Sequence, residues 1–198
     1  MNDQITQIEA SVLPFWKSVY EDALAHVPVE GHSDVRAGAL ALILRILLSS
    51  PGFRCTLLYR LSYASRHRLP VFGTIISKLL FWIGRHWYGC SIAGTARIAG
   101  GVVLPHPQGI VIGAAVCIGQ RAWIYQNVTI GGAPNRSGMP VIGINARIYP
   151  GAVIAGPVHV GDDVWIGANT LVQDDVPGDT IVRAADAIHV AQKRREEA

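Results

Sequence analysis

Between residues 142 and 172 an aliphatic side chain falls at every sixth position: Ile142, Ile148, Ile154, Val160, Ile166 and Val172. Four residues after each of the first five stands a small or β-branched one, namely Ala146, Ala152, Val158, Val164 and Thr170. The same phase runs upstream through Ile112, Ile118, Ile124 and Ile130, and an earlier block, Ile92, Ile98 and Leu104, sits two residues out of step. A period of six fits neither an α-helix nor an alternating strand, and it predicts a parallel β-helix of hexapeptides. Three short flat strands close one triangular coil. The aliphatic then points into the prism, the small residue fits the interior near a corner, and glycines such as Gly143, Gly161 and Gly167 relieve the turn.

The remaining chain reads as helical. Ile8, Val12, Phe15, Trp16 and Val19 form an apolar stripe at three- and four-residue spacing behind an expected cap at Asp3. A second helix follows Asp34 and runs through Leu48, Ser50-Pro51-Gly52 breaks it, a third covers residues 53–67, and a fourth follows Leu69-Pro70 as far as Trp87. Glu21, Asp22 and Asp34 read as solvated charges on polar faces. Phe81, Trp82, Trp87 and Tyr88 read as core or subunit contacts. The chain therefore divides into a helical domain over 1–88, a β-helix over 89–190 and a charged tail over 191–198, an α+β organisation.

Several classes of function recede on composition. With 50% hydrophobic and 16% charged residues and a formal charge of +3, the chain has neither a disordered nor a nucleic-acid-coating balance. Cys55, Cys90 and Cys117 show no metal spacing and read as buried thiols in a reducing, cytoplasmic setting. The first ten residues lack the pattern of a secretory signal. The apolar runs 37–49 and 69–84 are shorter than the roughly 20 residues of a spanning helix and contain Arg45 and Lys78. Buried helices are expected, with a membrane-surface helix as the less favoured alternative, because residues 54–85 are basic and aromatic.

Two breaks in the hexapeptide phase stand out. One, at Leu104-Pro105-His106-Pro107-Gln108-Gly109, places a histidine at the two-residue slip between flanking prolines. The other, over residues 131–141, is rich in glycine and proline and predicts a loop thrown from one corner of the prism, a common carrier of function. His159 and His189 have no comparable context and read as surface residues.

Residues 91–190 resemble the catalytic domain of serine acetyltransferases within the hexapeptide acyltransferase superfamily. The matching features are the Leu-x-His-x-x-Gly-Ile-Val-Ile-Gly run at 104–113, Val128-Thr129-Ile130-Gly131-Gly132, the repeats over 160–172, and Asp175-Val176-Pro177. The helical half, with Pro51-Gly52-Phe53 and Leu58-Tyr59-Arg60-Leu61, is similar to shorter helical domains of relatives in surface-sugar pathways. The resemblance implies a left-handed β-helix, a homotrimer or dimer of trimers, and acetyl-CoA as acyl donor in a groove between subunits, with no metal. It implies His106 as general base, a role that suits a neutral imidazole near pH 7. It places Gly131, Gly132 and Ala133 at the loop start that contacts CoA, and Gly151, Ala152, Ala168 and Asn169 at later cofactor positions.

The departures from that family pattern bear on the acceptor. The family's histidine-orienting aspartate, fifteen residues before the base, is Ser91 here, and the acidic residue beside the histidine is Pro105. The arginine and second histidine that engage an amino-acid acceptor fall on Gly138 and Met139, which removes a bidentate partner for a carboxylate. The expected activity is therefore O-acetylation of a sugar, glycan precursor or other small metabolite, with His106 and Ser91 at the reacting centre. L-Serine O-acetylation and a non-catalytic trimeric scaffold are the alternatives. A zinc carbonic anhydrase of this fold would need three histidine ligands, and the coils carry only His106 and His159.

Overall fold

A computed structural model of the 198-residue chain describes residues 14–27, 38–69 and 71–184. Among these residues four helices precede thirteen short strands: α1 (Phe15–Ala25), α2 (Ala39–Ser49), α3 (Pro51–Arg68) and α4 (Gly73–Tyr88), then β1 (Ser91–Ile92) through β13 (Ile181–Val182). All strand pairings are parallel, and they form three sheets. Sheet 1 is ordered β1-β3-β6-β9-β12, sheet 2 β10-β7-β4-β2 and sheet 3 β13-β11-β8-β5. The chain visits them in turn, so each coil contributes one strand to each wall of a three-sided prism.

The register explains the phase. Ile112 pairs with Ile130 and Ile154 with Val172, steps of three hexapeptides. Ile92 pairs with Ile112, two residues further on, so the slip is absorbed between Val103 and β3 (Val111–Ile112), at the corner between sheets 3 and 1. Ile130 pairs with Ile154, six residues further on, so the second break is a loop at the corner between sheets 1 and 2, between β6 (Thr129–Gly131) and β7 (Val141–Ile142). Every aliphatic named in the repeat is buried, and so are its small companions Ala146, Ala152, Val158, Val164 and Thr170. Each fully buried isoleucine contributes about 1.5–3 kcal/mol over an exposed one, and stacking makes that burial available in every coil.

A prism also has ends, where backbone groups lack a next coil. Helix α3 lies across the first end. Its Gly52 abuts the Leu104 carbonyl, its Tyr59 hydroxyl donates to Ala96 O at 2.9 Å and accepts from Ile98 N at 3.2 Å, and its Ser62 meets Gly94. Burial pushes the Tyr59 pKa up to about 12, so the hydroxyl keeps the proton it donates. Arg60 donates to the carbonyls of Ile98 and Ala99, and Asp22 of α1 accepts from Gly101 N (2.9 Å) and Val102 N (3.1 Å). The two side chains also pair with each other, Arg60 Nε to Asp22 Oδ2 at 2.9 Å, and both are buried. One ion pair thereby satisfies four backbone groups of the first coil.

Local signals place these helices. Ser50 Oγ accepts from Phe53 N with Pro51 in the first helical position, so the predicted break at Ser50-Pro51-Gly52 is the start of α3. Gly89, at φ 62°, closes α4, and Cys90 N reaches back to Gly84 O before the chain enters β1. All three cysteines are buried and form no disulfide among the described residues, and the hydrogen bond with Cys55 together with burial pushes the Cys90 thiol up, away from thiolate reactivity.

Three expectations need correction. Asp22 is not a solvated charge: it stands on the face α1 turns inward with Ser18, Val19 and Ala23, where the first coil offers it two N–H groups. Trp16, placed in the buried stripe, is exposed because that inward face follows Val19. The helices are not buried all round: α2 buries Leu42 and Ile46 and exposes Leu40, Leu44 and Leu48. Helix α4 buries Gly73, Ser77 and Gly84 against α3 and the first coil, which leaves Trp82 and Trp87 outside the core; Phe81 and Tyr88 are half-buried. The proposed cap at Asp3, residues Ile8, Val12, Asp34 and His189, and the tail lie outside the described residues.

Candidate active site

His106 stands on the lengthened corner between sheets 3 and 1, exposed, between half-buried Pro105 and buried Pro107. The corner is built on stacked left-handed turns. Gly109, Asn127, Gly151 and Asn169 all have φ between 55° and 73°. Each N–H donates one coil back: Gly109 to Gly89 O (2.8 Å), Asn127 to Gln108 O (2.9 Å), Gly151 to Gln126 O (3.1 Å) and Asn169 to Pro150 O (2.9 Å). A Cβ at Gly109 or Gly151 would lie 2.1 Å from the Oδ1 of Asn127 or Asn169, so the ladder requires glycine there. Ser91 lies at the start of the strand beneath, with its N–H donating to Ile110 O at 2.8 Å. Among the described residues no hydrogen bond joins Ser91 to His106, and no carboxylate reaches this corner.

The corner is held from below by a second histidine that the sequence gave no reason to select. His26 Nδ1 lies 2.7 Å from Asp22 O, a carbonyl that can only accept, so Nδ1 carries the proton and Nε2 accepts from Leu104 N at 3.4 Å. Burial lowers the His26 pKa below its usual value, in keeping with the neutral tautomer; the Asp22 carbonyl and carboxylate oppose the shift. Leu104 is two positions before His106, with Pro105 between them.

The other candidate residues divide between two edges of sheet 1. Gly151, Ala168 and Asn169 share the edge that carries His106. Gly131, Gly132 and Ala133 lie at the opposite edge, where the loop over 132–140 leaves the prism. A Cβ at Gly131 would meet nothing within 4 Å, so this edge presents bare backbone with room beside it. Ala152 differs from the rest: its side chain is wholly buried inside the prism, its N–H goes to Tyr149 O and its carbonyl accepts from Thr129 N. It offers a ligand no side-chain surface.

The loop itself folds back tightly. Ala133 bridges Arg136 across a turn with Asn135 at φ 61°, and Arg136 Nη1 donates to Gln173 O at 2.6 Å. The one guanidinium of the loop is thus tied to the coil. Met139 packs beside Gly132, and Gly138, at φ 121°, is pressed against Pro157. His159 is half-buried in β10 (His159–Val160), where its N–H donates to Asp175 Oδ1.

An aromatic column rises beside the His106 corner. Tyr125 and Tyr149 occupy equivalent corner positions of successive coils and stack at 5.3 Å with 9° between planes. On the adjoining outer face of sheet 3, Arg147 lies over the rings of Trp123 and Trp165. Between Tyr125 and Asn127, the Gln126 Oε1 is buried with no hydrogen-bond partner among the described residues. The signal in the sequence was available: a tyrosine directly after the inward isoleucine, at Ile124-Tyr125 and again at Ile148-Tyr149.

A prism of hexapeptide coils with an exposed corner histidine and a glycine-edged loop defines the class of β-helix transferases. Residues 139–176 match the family model described as bacterial transferase hexapeptide (six repeats). The chain is 38% identical over 142 residues to a serine acetyltransferase of Helicobacter pylori, covering 70% of this chain and 81% of that one. It is 36% identical over 142 residues to a serine acetyltransferase of Synechococcus elongatus, covering 70% of this chain but only 57% of the relative's length. The crystal structure of Neisseria gonorrhoeae serine acetyltransferase superposes with a TM-score of 0.72 at 27% identity, over 90% of this chain and 66% of that one. The chain belongs to the serine acetyltransferase family of hexapeptide-repeat transferases.

Proposed function

We propose that this protein transfers the acetyl group of acetyl-CoA to a hydroxyl of a small acceptor, with His106 as general base. The neutral imidazole takes the acceptor's hydroxyl proton as its oxygen attacks the thioester carbonyl. Collapse of the tetrahedral intermediate breaks the C–S bond, and the imidazolium returns the proton to the departing thiolate. The observation that carries this reading is the exposed His106 on the lengthened corner, on the same edge as the Gly151 and Asn169 turns. The bare backbone of Gly131 suits close approach of a pantetheine arm, but it belongs to the opposite edge. A homotrimer brings one chain's histidine edge against its neighbour's glycine edge, a heterologous contact that closes at three. A backbone N–H of the neighbour would then face the oxyanion.

For the acceptor we favour a sugar, glycan precursor or related hydroxyl lacking an amino-acid head. Gly138 and Met139 supply no carboxylate clamp, and Arg136 is engaged with Gln173. L-Serine is the second reading, and the names of the relatives at 36–38% identity favour it. The test is thiol release from acetyl-CoA with L-serine and with a panel of sugars and sugar nucleotides, using His106→Ala as control. Turnover on a sugar that is lost in the variant supports the first reading. Comparable or better turnover on L-serine replaces it with the second. CoA binding without turnover on any acceptor would leave a scaffold.

A further inference from the structure

Helices α3 and α4 form a tight antiparallel hairpin, held by Ser62 Oγ and Ser77 Oγ at 2.7 Å and by Gly73 against the Ser65 carbonyl. Ser62 meets the first coil at Gly94. Arg68 lies six residues further along the helix, about 9 Å toward the hairpin tip. The tip and the outer face of α4 are apolar and uncovered. Val71 is 73% exposed, Phe72 68%, Ile75 65% and Leu79 55%. Phe72, Ile75, Ile76, Leu79 and Trp82 fall at three- and four-residue spacing, which makes one stripe opposite the buried Gly73, Ser77 and Gly84. An open groove of about 500 Å3 runs beside it, sharing Leu69 and Ile76 and bounded by Arg68.

Charge decides what covers this face. Between Asp34 and Asp162 the chain has twelve Lys and Arg residues and no Asp or Glu. Arg66 and Arg68 flank the tip, and Lys78 and Arg85, seven residues apart, make a cationic row beside the stripe. A second copy laid on this face by a twofold axis would oppose cation to cation, with no acid from α2, α3 or α4 to relieve it. An anionic bilayer meets both demands, because acyl chains take the apolar stripe while headgroup phosphates take the flanking cations. No single helix among the described residues is long and apolar enough to cross a membrane, and Tyr59 and Arg60 tie α3 to the first coil, so the hairpin would meet a bilayer at its surface. We infer that the α3–α4 hairpin docks this protein on an anionic lipid membrane, with Val71, Phe72 and Ile75 entering the interface and Arg66 and Arg68 on its phosphates.

The test is flotation of the full chain with phosphatidylcholine vesicles, with and without phosphatidylglycerol, at low and high salt. We expect the chain to float with the phosphatidylglycerol vesicles at low salt. Val71→Ser/Phe72→Ser/Ile75→Ser together should lower partitioning by more than roughly tenfold, and Arg66→Gln/Arg68→Gln by roughly fivefold per cation. All five positions are exposed, and circular dichroism and native mass report whether each variant keeps its fold and assembly. Absence of flotation, or flotation that neither variant changes, overturns the inference. So does an apolar variant that halves the assembly while lipid partitioning stays the same, because the face is then a contact between copies.

Discussion

His106 is exposed at its corner, and among the described residues no carboxylate is hydrogen-bonded to it. Removing the imidazole should lower kcat by about 10²–10⁴, with the KM for acetyl-CoA moving less than about threefold because the base makes its interaction in the transition state. Steady-state kinetics of His106→Ala check this. His26 makes a separate prediction. Its folded pKa is depressed below the usual value near 6.5 by burial, so the unfolded chain takes up a proton there before the folded one does. Its contribution to stability is complete above about pH 6.5 and is lost as pH falls from there toward the folded-state pKa. Urea unfolding at pH 7.5 and 5.5 should show wild type losing more stability on acidification than His26→Gln; an equal loss would place the titration elsewhere. The two histidines were unequally legible. A phase slip between prolines singled out His106, whereas His26 owes its role to Leu104, whose N–H is distant in sequence and meets it only after α1 docks.

The helical half works as a plug, and its energetics rest on one ion pair. Arg60 and Asp22 satisfy Ile98, Ala99, Gly101 and Val102 as well as each other, so losing either leaves the partner's charge and two backbone groups buried. Arg60→Met and Asp22→Asn should each destabilise the fold by about 3–5 kcal/mol, and the double change should cost less than the two single losses added together. Chemical denaturation of the three variants measures that coupling, and strict additivity would mean the pair is not one unit. Gly52 gives a finer probe of the same element. A Cβ there would stand 1.8 Å from the Leu104 carbonyl, so Gly52→Ala must shift either α3 or the corner that leads to His106. It should cost about 1–3 kcal/mol and reduce turnover without altering any group that faces solvent. The elements differ in what the sequence reveals for a physical reason. Hexapeptide phase repeats because each coil buries its aliphatic on the one below, so the same constraint is written many times. A plug is made once, from residues thirty-eight apart, and an aspartate on an amphipathic helix reads as solvated until its partner is known.

At the scale of the molecule, the arrangement of edges makes an assembly prediction that does not depend on knowing the acceptor. Within one prism the full width of sheet 1 separates the corner of His106 from the edge of Gly131 and Gly132, because the chain enters the sheet at one corner and leaves at the other. If catalysis uses both edges, they come from adjacent chains. A chain carrying His106→Ala keeps an intact glycine edge, and a chain carrying Gly132→Trp keeps an intact histidine edge; each alone should be inactive. Refolding the two together in equal amounts places intact edges opposite each other at about one quarter of the sites of a threefold ring. Turnover near that fraction of wild type establishes a shared site. Zero turnover in mixed trimers of confirmed composition would require both edges from the same chain and would rule out the groove between prisms. The same symmetry bears on the membrane face. In a closed ring of parallel prisms the three α3–α4 hairpins lie at one end, so a weak contact per chain becomes a threefold one by effective concentration. Vesicle partitioning of mixed trimers carrying increasing fractions of the Val71→Ser/Phe72→Ser/Ile75→Ser chain should then fall more steeply than in proportion to that fraction, and a linear decline would mean that the hairpins bind one at a time.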